Sequence, residues 1–298
     1  YFGAKENQKV KSAVSTALLS FFVLGGVLLL AGVLSCEPVL EALKTPAEAM
    51  ADSVTYLNIY YYGLPFLILY NLGTGIFSAL GDSKTPFLFL VGSSLANIFL
   101  DWVMVKPWGV AGVAWATFIA QGAACVLTLF FVFRRMRGIA SGEKAPVFSG
   151  TLLKTLLLLA IPVILQNSFV SVGNLVIQVR INEIANAEGI GITSGFTSGF
   201  KLLVFCTTCF NACATGLTNY VSQNYGANKF HRIRQGFVWG LLISTALTAC
   251  FVAVTLLAAS PLVSLFMPGG EQDTALALAT GVEYIRLTAP FFFVVNVK

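Results

Sequence analysis

The run Phe87-Leu-Phe-Leu-Val-Gly-Ser-Ser-Leu-Ala-Asn97-Ile-Phe-Leu-Asp101-Trp-Val-Met-Val105 decides the fold of this chain. It is long enough to cross the ~30 Å hydrocarbon core of a bilayer as a helix, and its one charged side chain is Asp101. A carboxylate at membrane depth costs about 2.5–3.5 kcal/mol on insertion scales, so a membrane helix rarely carries one without a use for it. Asn97 lies one helical turn earlier, on the same face. This pair is the first candidate for a functional site.

The composition of the whole chain agrees with a membrane location. Of its 298 residues, 57% are hydrophobic and 10% are charged, and the mean hydropathy is +0.82. Soluble domains carry roughly 25% charged residues, so this is not a soluble domain. The apolar runs are continuous rather than alternating, which predicts helices and not a barrel. The sequence therefore predicts an all-α, polytopic membrane protein with eight apolar segments, at 12–34, 54–80, 86–105, 110–133, 152–178, 194–222, 236–259 and 275 to the end.

The loops between these segments alternate in charge. One set of loops holds 12 Lys and Arg residues, whereas the other holds only Lys44, Lys106 and Arg180. Cytoplasmic loops carry the excess of basic residues, so the first set is predicted to face the cytoplasm. This bias also accounts for the net charge of +5, and no nucleic-acid partner is expected. The basic set comprises 1–11, 81–85, 134–154 and 223–235; the other comprises 35–53, 106–109, 179–193 and 260–274.

A flexible linker and an internal repeat suggest two related halves. The loop 134–154 is rich in Gly, Ser and Pro, and it divides the chain into an N-terminal bundle, 1–133, and a C-terminal bundle, 155–298. The sequence Phe2-Gly-Ala-Lys-Glu-Asn-Gln-Lys-Val-Lys11 resembles Tyr225-Gly-Ala-Asn-Lys-Phe-His-Arg-Ile-Arg234 at an offset of 223. Both copies are predicted on the same side of the membrane. Internal repeats of this kind are typical of transporters.

Several motifs, in order along the whole chain, resemble the multidrug and toxic compound extrusion family. They are Tyr56-Leu-Asn-Ile59 with Gly63-Leu-Pro-Phe66, Leu80-Gly-Asp-Ser-Lys-Thr-Pro86, Gly109-Val-Ala-Gly-Val-Ala-Trp-Ala-Thr117 ending at Gln121, and Ser222-Gln-Asn-Tyr225-Gly-Ala-Asn-Lys229. The similarity is greatest to the DinF-like branch. The resemblance implies a twelve-helix protein in which this chain begins at the end of helix two and stops inside helix ten.

The resemblance also implies a function. The expected activity is secondary antiport in the plasma membrane, with export of small organic compounds, often cationic, driven by a Na⁺ or H⁺ gradient. The expected partners are that substrate and the lipid bilayer. Apart from the coupling ion, no cofactor or metal is expected, and the protein is expected to be a monomer and not an enzyme.

The resemblance assigns a coupling site to the N-terminal bundle. In DinF-like members this site has an Asp and an Asn one turn apart on helix five, a Thr on helix six and an Asp on helix one. Asp101 and Asn97 match the first two, and Thr117 is the best match for the third, while the helix-one Asp falls outside this chain. An alternative is that Asp101 faces water near a helix end, beside an interfacial belt of Trp102 and Trp108.

Uncharged polar residues at membrane depth in the second half are candidates for a substrate cavity. They are Gln166, Asn174 and Asn211, and hydrogen bonding between helices is the alternative role for them. A related lipid-linked oligosaccharide flippase is the alternative function, although it favours a cavity lined by several arginines, and this chain has almost none at membrane depth. A membrane-embedded enzyme is disfavoured, because the single His231 and the lack of HExxH or GxSxG patterns leave no nucleophile with its base.

Overall fold

The computed structural model describes residues 1–42, 47–140, 145–189, 191–267 and 274–297, and all regular structure in these ranges is helical. The all-α prediction is confirmed. A single 3-10 turn, Ala289–Phe291, joins the last two helices. The helices are α1 (Asn7–Ala42), α2 (Ala47–Ala79), α3 (Lys84–Arg137), α4 (Gly150–Glu188), α5 (Gly191–Gly226), α6 (Phe230–Leu257), α7 (Ala259–Phe266), α8 (Thr274–Thr288) and α9 (Phe292–Val297).

Six helical stretches of the described chain are long and apolar enough to cross a membrane. They lie in α1, α3, α4, α5 and α6, and in the stretch Ala275–Val294 that covers most of α8 and α9. The predicted segment 54–80 forms α2, which is 33 residues long but is not among the six. Its five tyrosines and two asparagines lower its hydropathy. The chain is therefore a multi-pass membrane protein.

Helix α3 is two membrane segments joined by a sharp bend. A straight helix of its 54 residues is about 81 Å long, far more than a bilayer requires. The backbone leaves helical geometry at Gly109 (φ 54°, ψ −130°), two residues after Pro107, whose nitrogen cannot donate a helical hydrogen bond. The halves then run back along each other, with the rings of Phe89 and Phe131 5.3 Å apart. The predicted segments 86–105 and 110–133 therefore contact each other.

Residues Tyr1–Leu158 form one compact unit. In this unit α2 packs against both α1 and α3. A buried cluster of Val10, Phe77, Leu80, Val132 and Met136, together with Ile76, ties the start of α1 to the ends of α2 and α3. The residues after α3 return to the same end, because the Asn7 side chain donates to the Ala140 carbonyl (2.7 Å) and the Ser149 N–H donates to the Thr16 hydroxyl (3.0 Å).

Residues Leu159–Lys298 form a second compact unit, centred on the packing of α5 against α8. Gly195 lets the two backbones approach closely, because a Cβ there would meet the carbonyl of Ala277. The prediction that 260–274 is a loop is wrong for the first half of this range, because Ala259–Phe266 forms helix α7. Val263 of α7 is fully buried in the core of this unit, which holds that segment in helical form.

The internal repeat is confirmed in the local backbone. Lys5 and Asn228, which are 223 residues apart, have the same left-handed conformation, with φ of 58° and 55°. The Lys5 N–H donates to the Phe2 carbonyl, and the Asn228 N–H donates to the Tyr225 carbonyl, both at 3.0 Å. The helices that follow begin at Asn7 and Phe230, again at the offset of 223. The two similar sequences therefore form the same turn and helix start.

Candidate functional site

The first half of α3 has one inward face, and both candidate residues lie on it. Ile98, Phe99 and Trp102, which lie next to the candidate residues in the sequence, are 62–63% exposed, as expected for lipid-facing side chains of a membrane helix. Half-buried residues recur instead at the spacing of a single helical face, and they are Ser93, Asn97, Leu100, Asp101 and Met104. Asn97 and Asp101 therefore share the partly buried face of this helix.

The second half of α3 brings Thr117 to this face. The Asn97 Nδ2 donates a hydrogen bond to the Thr117 Oγ1 at 3.4 Å, although the two residues are 20 positions apart. In a straight helix that separation is about 30 Å, so the bend at Gly109 creates the contact. Gly112 makes the bend tight, since a Cβ there would overlap the Met104 carbonyl. Asn97 and Thr117 are thus two members of the predicted site that the structure brings into direct contact.

The Oδ1 atom of Asp101 is buried and has no hydrogen-bond partner within the described residues. Asp101 also forms no ion pair in that part of the chain. Buried polar atoms almost always have a partner, and one left without a partner costs about 1–3 kcal/mol, more when it is charged. An inward carboxylate oxygen with free lone pairs, one turn from the Asn97–Thr117 pair, is a position at which a positive charge is stabilised.

The chemistry of this group of residues suits a monovalent ion. A carboxylate can take up a proton, and carboxylate, amide and hydroxyl oxygens are the ligands that a hard cation prefers. In the described ranges no three His, Cys, Asp or Glu side chains lie close enough to hold a metal ion together. A single carboxylate beside two neutral, oxygen-bearing side chains has the chemistry to take up a proton or to contribute ligands to a hard monovalent cation.

The interfacial alternative applies to the neighbouring tryptophans. Trp102 and Trp108, at 63% and 58% exposed, lie on either side of Lys106, whose Nζ is 5.1 Å from the centre of the Trp102 ring. This arrangement is typical of a membrane boundary. The buried Asp101 Oδ1 does not share their exposure, which favours the ion-site interpretation. The role of the three site residues stays a prediction.

The structure does not gather the predicted cavity residues into one site. Gln166 and Asn174 are exposed on α4, a helix that makes no extensive contact with another described helix, and Asn211 is exposed on α5. Their role in substrate binding stays a prediction. Asn58 on α2 was given no role from the sequence, yet its Oδ1 is buried and has no partner in the described chain. Asn58 belongs to the motif Tyr56-Leu-Asn-Ile59, and this motif is the one sequence feature that could have drawn attention to it.

Long apolar helices, one of which carries a partly buried carboxylate, place this chain in the class of multi-pass membrane proteins. Within that class, the chain belongs to the MatE family, whose family model matches residues 1–103 and 162–298. Members of this family are transporters, not enzymes.

Individual relatives show the same relationship. The chain is 29% identical over 270 residues to the probable multidrug resistance protein YpnP and 25% identical over 282 residues to the probable multidrug resistance protein YoeA, both of Bacillus subtilis (strain 168). These alignments cover 90% and 92% of this chain but 58% and 60% of the relatives, so the chain spans about three fifths of their length. A crystal structure of a MATE protein in complex with MaL6 has the same fold, with a TM-score of 0.88 at 18% identity over 99% of this chain and 65% of that one.

Proposed function

We propose that the full-length protein is a secondary antiporter of the plasma membrane that exports small organic compounds, many of them cationic, in exchange for Na⁺ or H⁺. The observation that carries the proposal is the buried Oδ1 of Asp101, which has no hydrogen-bond partner among the described residues. A charge left unpaired at membrane depth is costly, so binding of a cation there is favourable. The bound ion thereby changes the stability of the conformation that buries Asp101. Two relatives described as probable multidrug resistance proteins support the substrate class.

The coupling reaction needs no cofactor other than the ion itself. Asp101 supplies the negative charge, and Asn97 and Thr117, already in contact with each other, supply neutral oxygens beside it. Uptake of the ion neutralises the carboxylate and removes the cost of burying it. An equilibrium between two conformations shifts only if the ion binds one of them more tightly, so coupling requires that Asp101 differ in exposure between the two. Because all three residues lie in one chain, the monomer is the proposed unit of transport.

The experiment that tests the proposal uses the full-length protein in sealed vesicles. A fluorescent organic cation is loaded, and its export is followed under an imposed Na⁺ gradient, an imposed pH gradient, or neither. Export that depends on one of the two gradients is expected. Equal rates with and without both gradients would contradict antiport.

The alternative, a lipid-linked oligosaccharide flippase, predicts a different result in the same vesicles. Such a protein moves an anionic, lipid-anchored substrate, and it gives no gradient-driven export of the fluorescent cation. A labelled lipid-linked sugar in the same membranes distinguishes the two, because the antiporter leaves its distribution between leaflets unchanged.

A further inference from the structure

A cavity of about 410 Å³ lies at the end of the first unit where the basic loops meet, away from Asp101. Three separate parts of the chain form it, namely the N-terminal turn, the turn between α2 and α3, and the end of α3. Its volume is in the range of small-molecule sites, which run from about 300 to 1,000 Å³. The proposed transport reaction uses none of the residues that line it.

The lining of this cavity combines apolar and basic residues. Phe77, Phe131 and Ile139 supply the apolar part, and the guanidinium groups of Arg134 and Arg135 supply the basic part. Neither arginine forms an ion pair within the described residues. A guanidinium group can bind phosphate through two parallel hydrogen bonds. Two adjacent arginines beside apolar side chains are therefore a suitable binding site for a phosphate ester.

Among the residues that the structure describes, the lining has one acidic side chain, Asp82, and it is already engaged. Asp82 accepts hydrogen bonds from the Thr85 hydroxyl (2.7 Å) and the Thr85 N–H (3.1 Å). These bonds, followed by the Lys84 N–H and the charge of Arg135, hold the pKa of the Asp82 carboxyl below its usual range. Asp82 therefore stays ionised and fixed in the turn. With its charge counted against two arginines, the cavity remains net positive and favours an anion.

Exposed apolar side chains lie next to the cavity along α3. On α3, the side chains of Phe130 and Phe133 are 58% and 53% exposed directly before the arginines, and Phe87 and Leu88 at the start of the same helix are 61% and 65% exposed. Apolar side chains open to lipid thus give way to the basic cavity within about one turn of helix. Basic pockets between membrane helices on the cytoplasmic side are suited to anionic headgroups.

We propose that this cavity binds the phosphate headgroup of an anionic phospholipid, held by Arg134 and Arg135, with the acyl chains along the exposed phenylalanines of α3. The identity of the leaflet rests on the predicted orientation, in which this end faces the cytoplasm. The binding is independent of the transport reaction, so it is testable whether or not antiport is observed.

The chain offers a matched control for the test. Arg137 lies in the same last turn of α3 and is also exposed, but it does not line the cavity. It shares with its neighbours the general attraction to a membrane surface and to the carboxyl end of the helix. A loss of binding that is specific to Arg134 and Arg135 therefore reports the cavity itself.

Native mass spectrometry of the full-length protein with phosphatidylglycerol measures the binding. The double variant R134Q/R135Q is expected to lose lipid occupancy at least fivefold, and R137Q is expected to retain it. R134K/R135K keeps the positive charge but loses the paired hydrogen-bond donors of the guanidinium group. Its lipid occupancy is expected to lie between those of the other two variants. Equal occupancy in R134Q/R135Q and wild type, or an equal loss in R137Q, would overturn the proposal.

Two competitors distinguish the sources of the phosphate. Phosphatidylcholine, which carries no net charge, is expected to bind more weakly than phosphatidylglycerol, and millimolar inorganic phosphate is expected to displace the lipid only in part. Complete displacement by inorganic phosphate would assign the cavity to a free anion rather than to a lipid. Equal binding of the two lipids would show that charge is not recognised, and would overturn the proposal as well.

Discussion

At the scale of single residues, Asp101 has an oxygen atom without a hydrogen-bond partner in the described structure, and a hydrogen-bonded pair of residues lies one helical turn away. The Asp101 Oδ1 has no partner in the described structure, while Asn97 and Thr117 are bonded to each other across the bend of α3. This difference suggests a division of roles. In the proposed transport reaction, Asp101 provides the charge that the ion neutralises, and the Asn97–Thr117 pair holds neutral oxygens in a fixed position on the same face.

Removing one of the neutral groups is expected to weaken ion binding without abolishing it. Thr117→Ala deletes the hydroxyl that accepts from Asn97, at a cost of about 1 kcal/mol, so roughly fivefold more coupling ion is needed for half-maximal export. Thr117→Ser, which keeps the hydroxyl, is the matched control. The measurement is the ion dependence of export in vesicles. Identical curves for the Ala and Ser variants would remove Thr117 from the site.

The sequence identified Asp101 and Asn97 because both stand inside an apolar run, where a polar side chain is rare. Thr117 came from the resemblance alone, since threonine is unremarkable in a membrane helix. Asn58 was missed because its burial and lack of a partner depend on how α2 packs, which the sequence pattern does not encode. The exposed positions of Gln166, Asn174 and Asn211 could not be predicted for the same reason.

At the scale of elements, the bend of α3 positions the candidate site. The apolar segments 86–105 and 110–133 implied a break between them, and the structure places that break at Gly109 with φ of 54°. The sequence did not show how closely the halves return along each other. That depends on Gly112, whose lack of a side chain allows the backbone to approach Met104.

Substitution of Gly109 is expected to destabilise the protein through backbone strain alone. No atom lies within 4 Å of a Cβ built at this position, so Gly109→Ala causes no clash, but it forces a side chain into a conformation costing about 1–3 kcal/mol. Gly92 also has open space around it and lies in regular helix, where Ala is favoured by about 1 kcal/mol. Thermal unfolding of the two variants in detergent is compared. If Gly109→Ala proved as stable as Gly92→Ala, the expectation that a side chain at position 109 strains the backbone would be wrong.

The turn before α3 gives a prediction that depends on pH. Asp82 caps the helix through Thr85, and Asp82→Ala is expected to cost about 1 kcal/mol at neutral pH, with Asp82→Asn costing less. Because the folded-state pKa of Asp82 is lowered, its contribution is present above the unfolded pKa and is lost as the pH falls through the folded pKa. The difference in melting temperature between wild type and Asp82→Ala should therefore shrink in acid. A difference that grows in acid would rule out this cap.

At the scale of the whole molecule, charge and hydropathy predicted most of the organisation. The cavity between the N-terminal turn, the α2–α3 turn and the end of α3 shows that three of the four basic loops do meet at one end of the first unit. The division at Leu158 falls inside α4, close to the predicted linker.

The membrane orientation is tested by labelling single cysteines in a cysteine-free full-length protein. Lys84→Cys and Arg232→Cys belong to the basic loops and are expected to resist an impermeant thiol reagent added to intact cells. Glu37→Cys, in the opposite set and exposed, is the control that should react. Labelling of positions 84 and 232 from outside, with position 37 protected, would invert the orientation.

Asp101→Asn tests the central claim most directly. The amide is nearly the same size and is easier to bury, so the variant is expected to fold while losing the charge that takes up the ion. Gradient-driven export of a fluorescent cation by the full-length protein should fall to the rate without a gradient. Asp52→Asn, which removes an exposed carboxylate at the start of α2, should keep the wild-type rate. A folded Asp101→Asn protein that exports at the wild-type rate under the same gradient would contradict the role of Asp101 in coupling.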